Sequence, residues 1–346
     1  MDYDVRIISS MEKVLPLGGM QNSRLVKRII GFLGQRVSFQ AAYCFHGDYY
    51  LNQTLKQAFR NPYAHVKAEG DFPGKVTIRK VDCVPVFMPH EKQNKKYDSE
   101  YIGHEAGLYP DILSPFEDGV QVVLEQWRAL WIDCEIPEDL KGGDLYGFFS
   151  SFRMMKGWFL LSQRLRFMWF PQVFLNRNFS IQNGFIRTVL ADYYGVEVYS
   201  EEHWNMIEAY LRLAFERGIN VAYTPILTPA LDTLIGKDRT TVQLVKIKMT
   251  EGRFEFDFGL LRRWIRLCRE IGFEFFEMAH LFAQWGAKYP PKVMAEVDGK
   301  SEKIFGWHTP VESCGYDKFL AEFLPELVKE LKELGVFDNT ILSCIG

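Results

Sequence analysis

Two hydrophobic periods divide this chain. From about Arg36 to Pro137, short β-branched and aromatic runs (Arg36 to Tyr43, Lys75 to Phe87, Trp127 to Ile136) are broken by turn residues and by polar loops such as His90 to Glu100. The stretch Pro137 to Gly143 (PEDLKGG) suits a hairpin closure, and several strands at this spacing predict an antiparallel β-sandwich over residues 1–145. From Ser200 the period becomes helical. Trp204, Ile207, Leu211, Ala214 and Phe215 share one face behind a Ser200 N-cap, with Glu201 and Glu202 at the positive end of the helix dipole. Gly218 then ends the helix, and Ile219 to Thr224 follows as a buried strand.

The same unit recurs twice. Trp264, Ile265, Cys268 and Ile271 precede Gly272 and a strand over Phe273 to Met278. Phe319, Leu320, Phe323, Leu327, Val328, Leu331 and Leu334 precede Gly335 and a strand over Thr340 to Ile345. Each helix closes on Glu-x-Gly before an apolar strand, which predicts right-handed crossovers in a parallel sheet. The long insert between Ala279 and Gly315 and the lack of a G-x-G-x-x-G loop favour a (β/α)8 TIM-type barrel over a doubly wound sheet. A whole barrel takes roughly 250 residues, so residues 191–346 are expected to be its N-terminal half, an incomplete barrel after the sandwich.

Residues 146–190 fit neither period. From Leu145 to Leu190 there is no Asp or Glu, where average usage would place roughly six. A basic membrane-surface segment is one reading. A displaced reading frame is the other. Codons chosen for Met154 to Trp158 yield an acidic hairpin turn when read one base early, and Gln182 to Leu190 at the same offset give Glu-Trp-Phe-His-Thr-Asp-Cys-Leu. Ile341 to Gly346, read from the second base, yields Phe-Phe-His-Val-Ser-Asp.

A net charge of −3 and a pI near 6.2 give no general attraction to nucleic acid or anionic membranes. The start MDYDVRIISSMEK has no signal-peptide pattern and no apolar run long enough to span a bilayer occurs, so a soluble, cytoplasmic chain is expected, with no nucleic-acid or membrane partner. Cys44, Cys83, Cys134, Cys268, Cys314 and Cys344 show no C-x-x-C and no His at metal-ligand spacing, so free thiols and neither metal nor cofactor are expected.

The chemistry gathers between Phe273 and Trp307, where a strand runs into a loop bearing His280, Gln284, Trp285 and Lys288. Barrel sites lie at strand C-termini, so Tyr223 and Thr224 join the candidates: Gln284 to bond hydroxyls, Trp285 to stack on a sugar face, Lys288 to donate. Trp307 and His308 lie further along, and Glu277 reads as a hydrogen-bonded structural carboxylate. This region, with Gln-Trp-Gly-Ala-Lys at 284–288, closely resembles the catalytic domain of glycoside hydrolase family 123. Gly107 to Leu113 and Trp127 to Trp131 are similar to that family's N-terminal sandwich. The resemblance implies a β-N-acetylgalactosaminidase using substrate-assisted retaining hydrolysis on an N-acetylhexosamine carbohydrate, in which the 2-acetamido oxygen attacks, an Asp orients it and a Glu protonates the leaving oxygen. In the family those acids sit in a Ser-Asp-Glu-Pro motif at the strand end corresponding to Thr340 to Ile345. The pair is absent here, so the expectation is loss at or after Gly346 and an inactive chain, the alternative being a non-catalytic carbohydrate-binding or degenerate protein. Oligomeric state is left open.

Overall fold

The computed structural model describes residues 2–18, 20, 23–46, 63–70, 72–87, 105–121, 123–140, 146–154, 157–159, 165–173, 187–230, 236–283, 286–313 and 315–342. The chain divides into two compact units, Met1–Phe174 and Leu175–Gly346.

Unit 1 holds β1 (Asp2–Ser9), β2 (Arg28–Leu33), β3 (Arg36–His46), β4 (Tyr63–Gly70), β5 (Lys75–Val86), β6 (Gly107–Pro115), β7 (Gly119–Gln121), β8 (Arg128–Glu135), β9 (Tyr146–Met154), β10 (Gly157–Phe159) and β11 (Leu165–Val173). Alternation puts every second side chain inward. Val37, Phe39 and Ala41 of β3 and Leu130, Ile132 and Cys134 of β8 therefore meet Leu33, Ala64, Val66 and Val120 from the other sheet in one core. That is the expected sandwich. One sheet, ordered β1-β3-β8-β5-β6, is antiparallel throughout. The other, β2-β11-β9-β4-β7 with β10 on β9, departs from the antiparallel expectation because β2 and β11 pair in parallel. The corner at Gly34 (φ 77°) sends β2 directly into β3 of the opposite sheet, so this corner sets the direction of β2. Strands β9 to β11 come from the acid-free segment, and the expected boundary at 145 falls inside this unit.

Unit 2 holds α1 (Arg187–Tyr194), α2 (Glu201–Glu216), β12 (Val221–Thr224), β13 (Lys246–Thr250), β14 (Arg253–Asp257), α3 (Gly259–Ile271), β15 (Phe275–Met278), β16 (Val293–Val297), β17 (Lys300–Phe305), α4 (Tyr316–Glu333) and β18 (Thr340–Leu342). The Ser200 hydroxyl accepts from the His203 amide, as an N-cap should. Gly218, Gly272 and Gly335 all take positive φ after their helices. Strands β12, β15 and β18 form a parallel sheet in that order. Trp264, Ile265 and Cys268 of α3 and Phe319, Phe323 and Leu327 of α4 belong to the same core as Ala222, Phe276 and Met278 of the sheet.

No closed barrel forms among the described residues, which hold a three-stranded parallel sheet with its helices. The segments after β12 and β15 are not simple loops. They pair with one another in a separate mixed sheet, β14-β13-β16-β17, with β13 and β16 parallel. The architecture among the described residues is thus mixed and sheet-rich, with four α-helices.

Candidate active site

The parallel sheet aligns Tyr223 with Glu277 and Ile341 in one row, and Thr224 with Met278 and Leu342 in the next. Successive side chains point to opposite faces, so the two sequence-selected neighbours Tyr223 and Thr224 part company. Thr224 faces the helices. Its hydroxyl donates to the Ala222 carbonyl at 3.0 Å and accepts from the Trp264 indole at 3.1 Å, which makes it a packing bracket. Tyr223, with its hydroxyl buried, lies on the other face beside Glu277.

Glu277 is only 8% exposed. Contrary to expectation, no hydrogen bond from another described residue reaches its carboxylate. Burial holds its pKa above the ordinary carboxylate range, an effect the nearby His280 opposes. His280 follows β15 by two residues and is half-buried, and its Nδ1 is enclosed with no hydrogen-bond partner among the described residues. Lys288 is exposed, while its carbonyl accepts from the Val311 amide at 3.0 Å. Gln284 and Trp285 lie outside the described residues. The Trp307 indole donates to the Lys237 carbonyl at 2.9 Å, and its ring lies 5.5 Å from that of Tyr289. His308 is exposed.

Above this edge the two post-strand segments are joined at several points. Thr228 bridges Lys292, whose ammonium donates to the Arg239 carbonyl at 2.8 Å, and burial lowers the pKa of that ammonium. Lys303 pairs with Asp238 at 2.6 Å. The Gln243 amide donates to the Val245 and Met294 carbonyls at 3.0 and 2.8 Å and accepts from the Met294 amide at 2.9 Å. Gln243 had no sequence signal, because its partner lies 51 positions away. A cleft of about 910 Å³ opens over β13, β14 and β16, lined in part by Lys246, Lys248, Glu255 and Glu296. None of the sequence-selected residues lines it.

Residues 186–344 match the glycoside hydrolase 123 catalytic domain. The chain resembles glycoside hydrolase family 123. A family 123 glycoside hydrolase from Clostridium perfringens, whose structure was solved for the details of glycolipid glycan hydrolysis, is similar over 99% of this chain at 15% identity and TM-score 0.68. The chain spans 58% of that enzyme's length. The N-terminal domain of PorA aligns with 49% of this chain and 98% of its own at 10% identity, with a TM-score of 0.21 that is too low to bear on the fold. No curated protein matches. The matched span takes in Tyr223, Glu277, His280 and Lys288.

Proposed function

We propose that this chain binds glycans ending in β-linked N-acetylgalactosamine, of the kind found on glycolipids, at the C-terminal edge of its parallel sheet. The supporting observation is the meeting of Tyr223, the buried Glu277 and His280, whose Nδ1 has no hydrogen-bond partner among the described residues, where β/α folds bind their ligands. His280 and Tyr223 would hold sugar hydroxyls or the acetamido group, Gln284 would add hydrogen bonds, Trp285 would stack and Lys288 would donate from the rim. The strand–helix repeats are read as part of a (β/α)8 barrel, and the setting as cytoplasmic. Among the described residues no helix is long and apolar enough to cross a membrane.

The reaction class is substrate-assisted hydrolysis with retention, which needs an Asp to orient the acetamide and a Glu to protonate the leaving oxygen. Residues 340–346 read Thr-Ile-Leu-Ser-Cys-Ile-Gly and carry neither acid. General acid catalysis alone supplies about 10² to 10⁴ in rate, so residues 1–346 by themselves are proposed to hold the sugar without cleaving it. The test pairs a chromogenic β-N-acetylgalactosaminide assay with calorimetry using N-acetylgalactosamine. Binding without turnover, weakened by His280→Ala, is the expected result. Turnover would make this chain an active glycosidase, and the absence of both would refute the site.

A further inference from the structure

We propose that Cys44, His46 and Glu125, at the end of β3 in unit 1, form a Zn²⁺-binding site. The Cys44 Sγ, one ring nitrogen of His46 and a carboxylate oxygen of Glu125 all lie within 4.8 Å of one another. Cys44 and His46 are two residues apart on one strand, so both side chains project from the same face. Glu125 is brought to them by tertiary structure: Leu124 bridges Phe45, and the Glu125 amide donates to the Phe45 carbonyl at 2.8 Å. The backbone of Glu125 sits at φ 56°, a left-handed conformation that is costly for a non-glycine residue. Its carboxylate then reaches His46 Nδ1 at 3.0 Å.

The donor set selects the metal. One thiolate, one imidazole and one carboxylate suit a borderline cation such as Zn²⁺, whereas Ca²⁺ and Mg²⁺ take oxygen ligands. Bond lengths to zinc place tetrahedral ligand atoms roughly 3.3–3.6 Å apart, a spacing the three side chains reach by small adjustments, the His46–Glu125 pair opening from 3.0 Å. The Cys44 side is buried, while His46 and Glu125 have side chains 41% and 62% exposed. The fourth position therefore opens to solvent, where water can occupy it. Asp4, opposite Cys44 in the register, is not that ligand, because Arg6 holds its carboxylate at 2.9 Å. Burial first, and then the charges of Glu125 and Asp4, push the Cys44 thiol up to about 11. On binding, the sulfur–zinc bond replaces the S–H bond and the proton leaves to solvent.

The full 346-residue chain, stripped with a chelator, is titrated with Zn²⁺ by calorimetry and, separately, with Co²⁺ by absorption to detect thiolate charge transfer. One Zn²⁺ per chain is expected. Cys44→Ser, His46→Gln and Glu125→Gln should each weaken it at least tenfold, and Cys83→Ser should leave it unchanged. The Co²⁺–thiolate band should vanish in Cys44→Ser. If that buried substitution prevents folding, the two surface variants and the Co²⁺ spectrum of the parent still decide. No stoichiometric zinc, affinity unchanged in both His46→Gln and Glu125→Gln, or Co²⁺ bound without a thiolate band would each overturn the site.

Discussion

Replacing Gln243 with Ala tests whether the segments after β12 and β15 act as one cap. Gln243 is nine-tenths buried and makes three hydrogen bonds, two of them to Met294 on β16. Each contributes about 0.5–1.5 kcal/mol net, so their loss costs about 3 kcal/mol. Against a total of about 5–15 kcal/mol this is large. With an m-value of about 2 kcal/mol/M in urea, the unfolding midpoint of unit 2 should fall by about 1.5 M. Protection of the Met294 amide against hydrogen exchange should drop with it. Gln243→Glu gives a sharper contrast. It keeps an acceptor for the Met294 amide but turns a carboxylate oxygen toward two carbonyls, so at neutral pH it should be less stable than the Ala variant, with recovery on acidification when an O–H can donate. An Ala variant within about 0.5 kcal/mol of the parent, or a Glu variant no worse than Ala, would refute the clamp.

Further outcomes follow from other contacts. Glu277→Gln should be more stable than the parent at about pH 7, and the advantage should shrink toward about pH 4. The buried carboxyl has a raised folded pKa, so the parent gains stability as pH falls through that value, and urea melts across the range check the sign. Gly272→Ala would place a Cβ 2.5 Å from the Phe215 ring at φ 122° and should cost more than about 2 kcal/mol by denaturant unfolding. Gly286→Ala, where no other described residue lies within 4 Å of the added Cβ, should cost only the left-handed backbone term of about 1–2 kcal/mol. Arg262→Ala strips the two 2.6 Å bonds from Glu330, which is 5% exposed. Because Arg262 itself is half exposed and water can enter, the loss in thermal unfolding should be about 1–2 kcal/mol, below that of a fully buried pair.

The helices of unit 2 are written locally. Ser200 caps α2, and Gly218, Gly272 and Gly335 end the helices before β12, β15 and β18, because a helix needs only its own period and a residue free to take positive φ. The strands β3, β5 and β8 were likewise legible from β-branched runs within two or three residues of their ends. What the sequence alone could not decide was pairing. Lys248 meets Glu296 and β2 meets β11 across long separations, so the insert after β15 joined the segment after β12 in a sheet and one seam of the sandwich turned parallel. Alternation placed Tyr223 and Thr224 on opposite faces, but only the packing of Trp264 showed which face belongs to the helices. The raised pKa of Glu277 depends on surroundings from elsewhere in the chain, and Glu125 reaches His46 over 79 residues. Period and capping are properties of neighbours in sequence; desolvation, register between distant strands and the convergence of donors exist only once the chain has closed on itself.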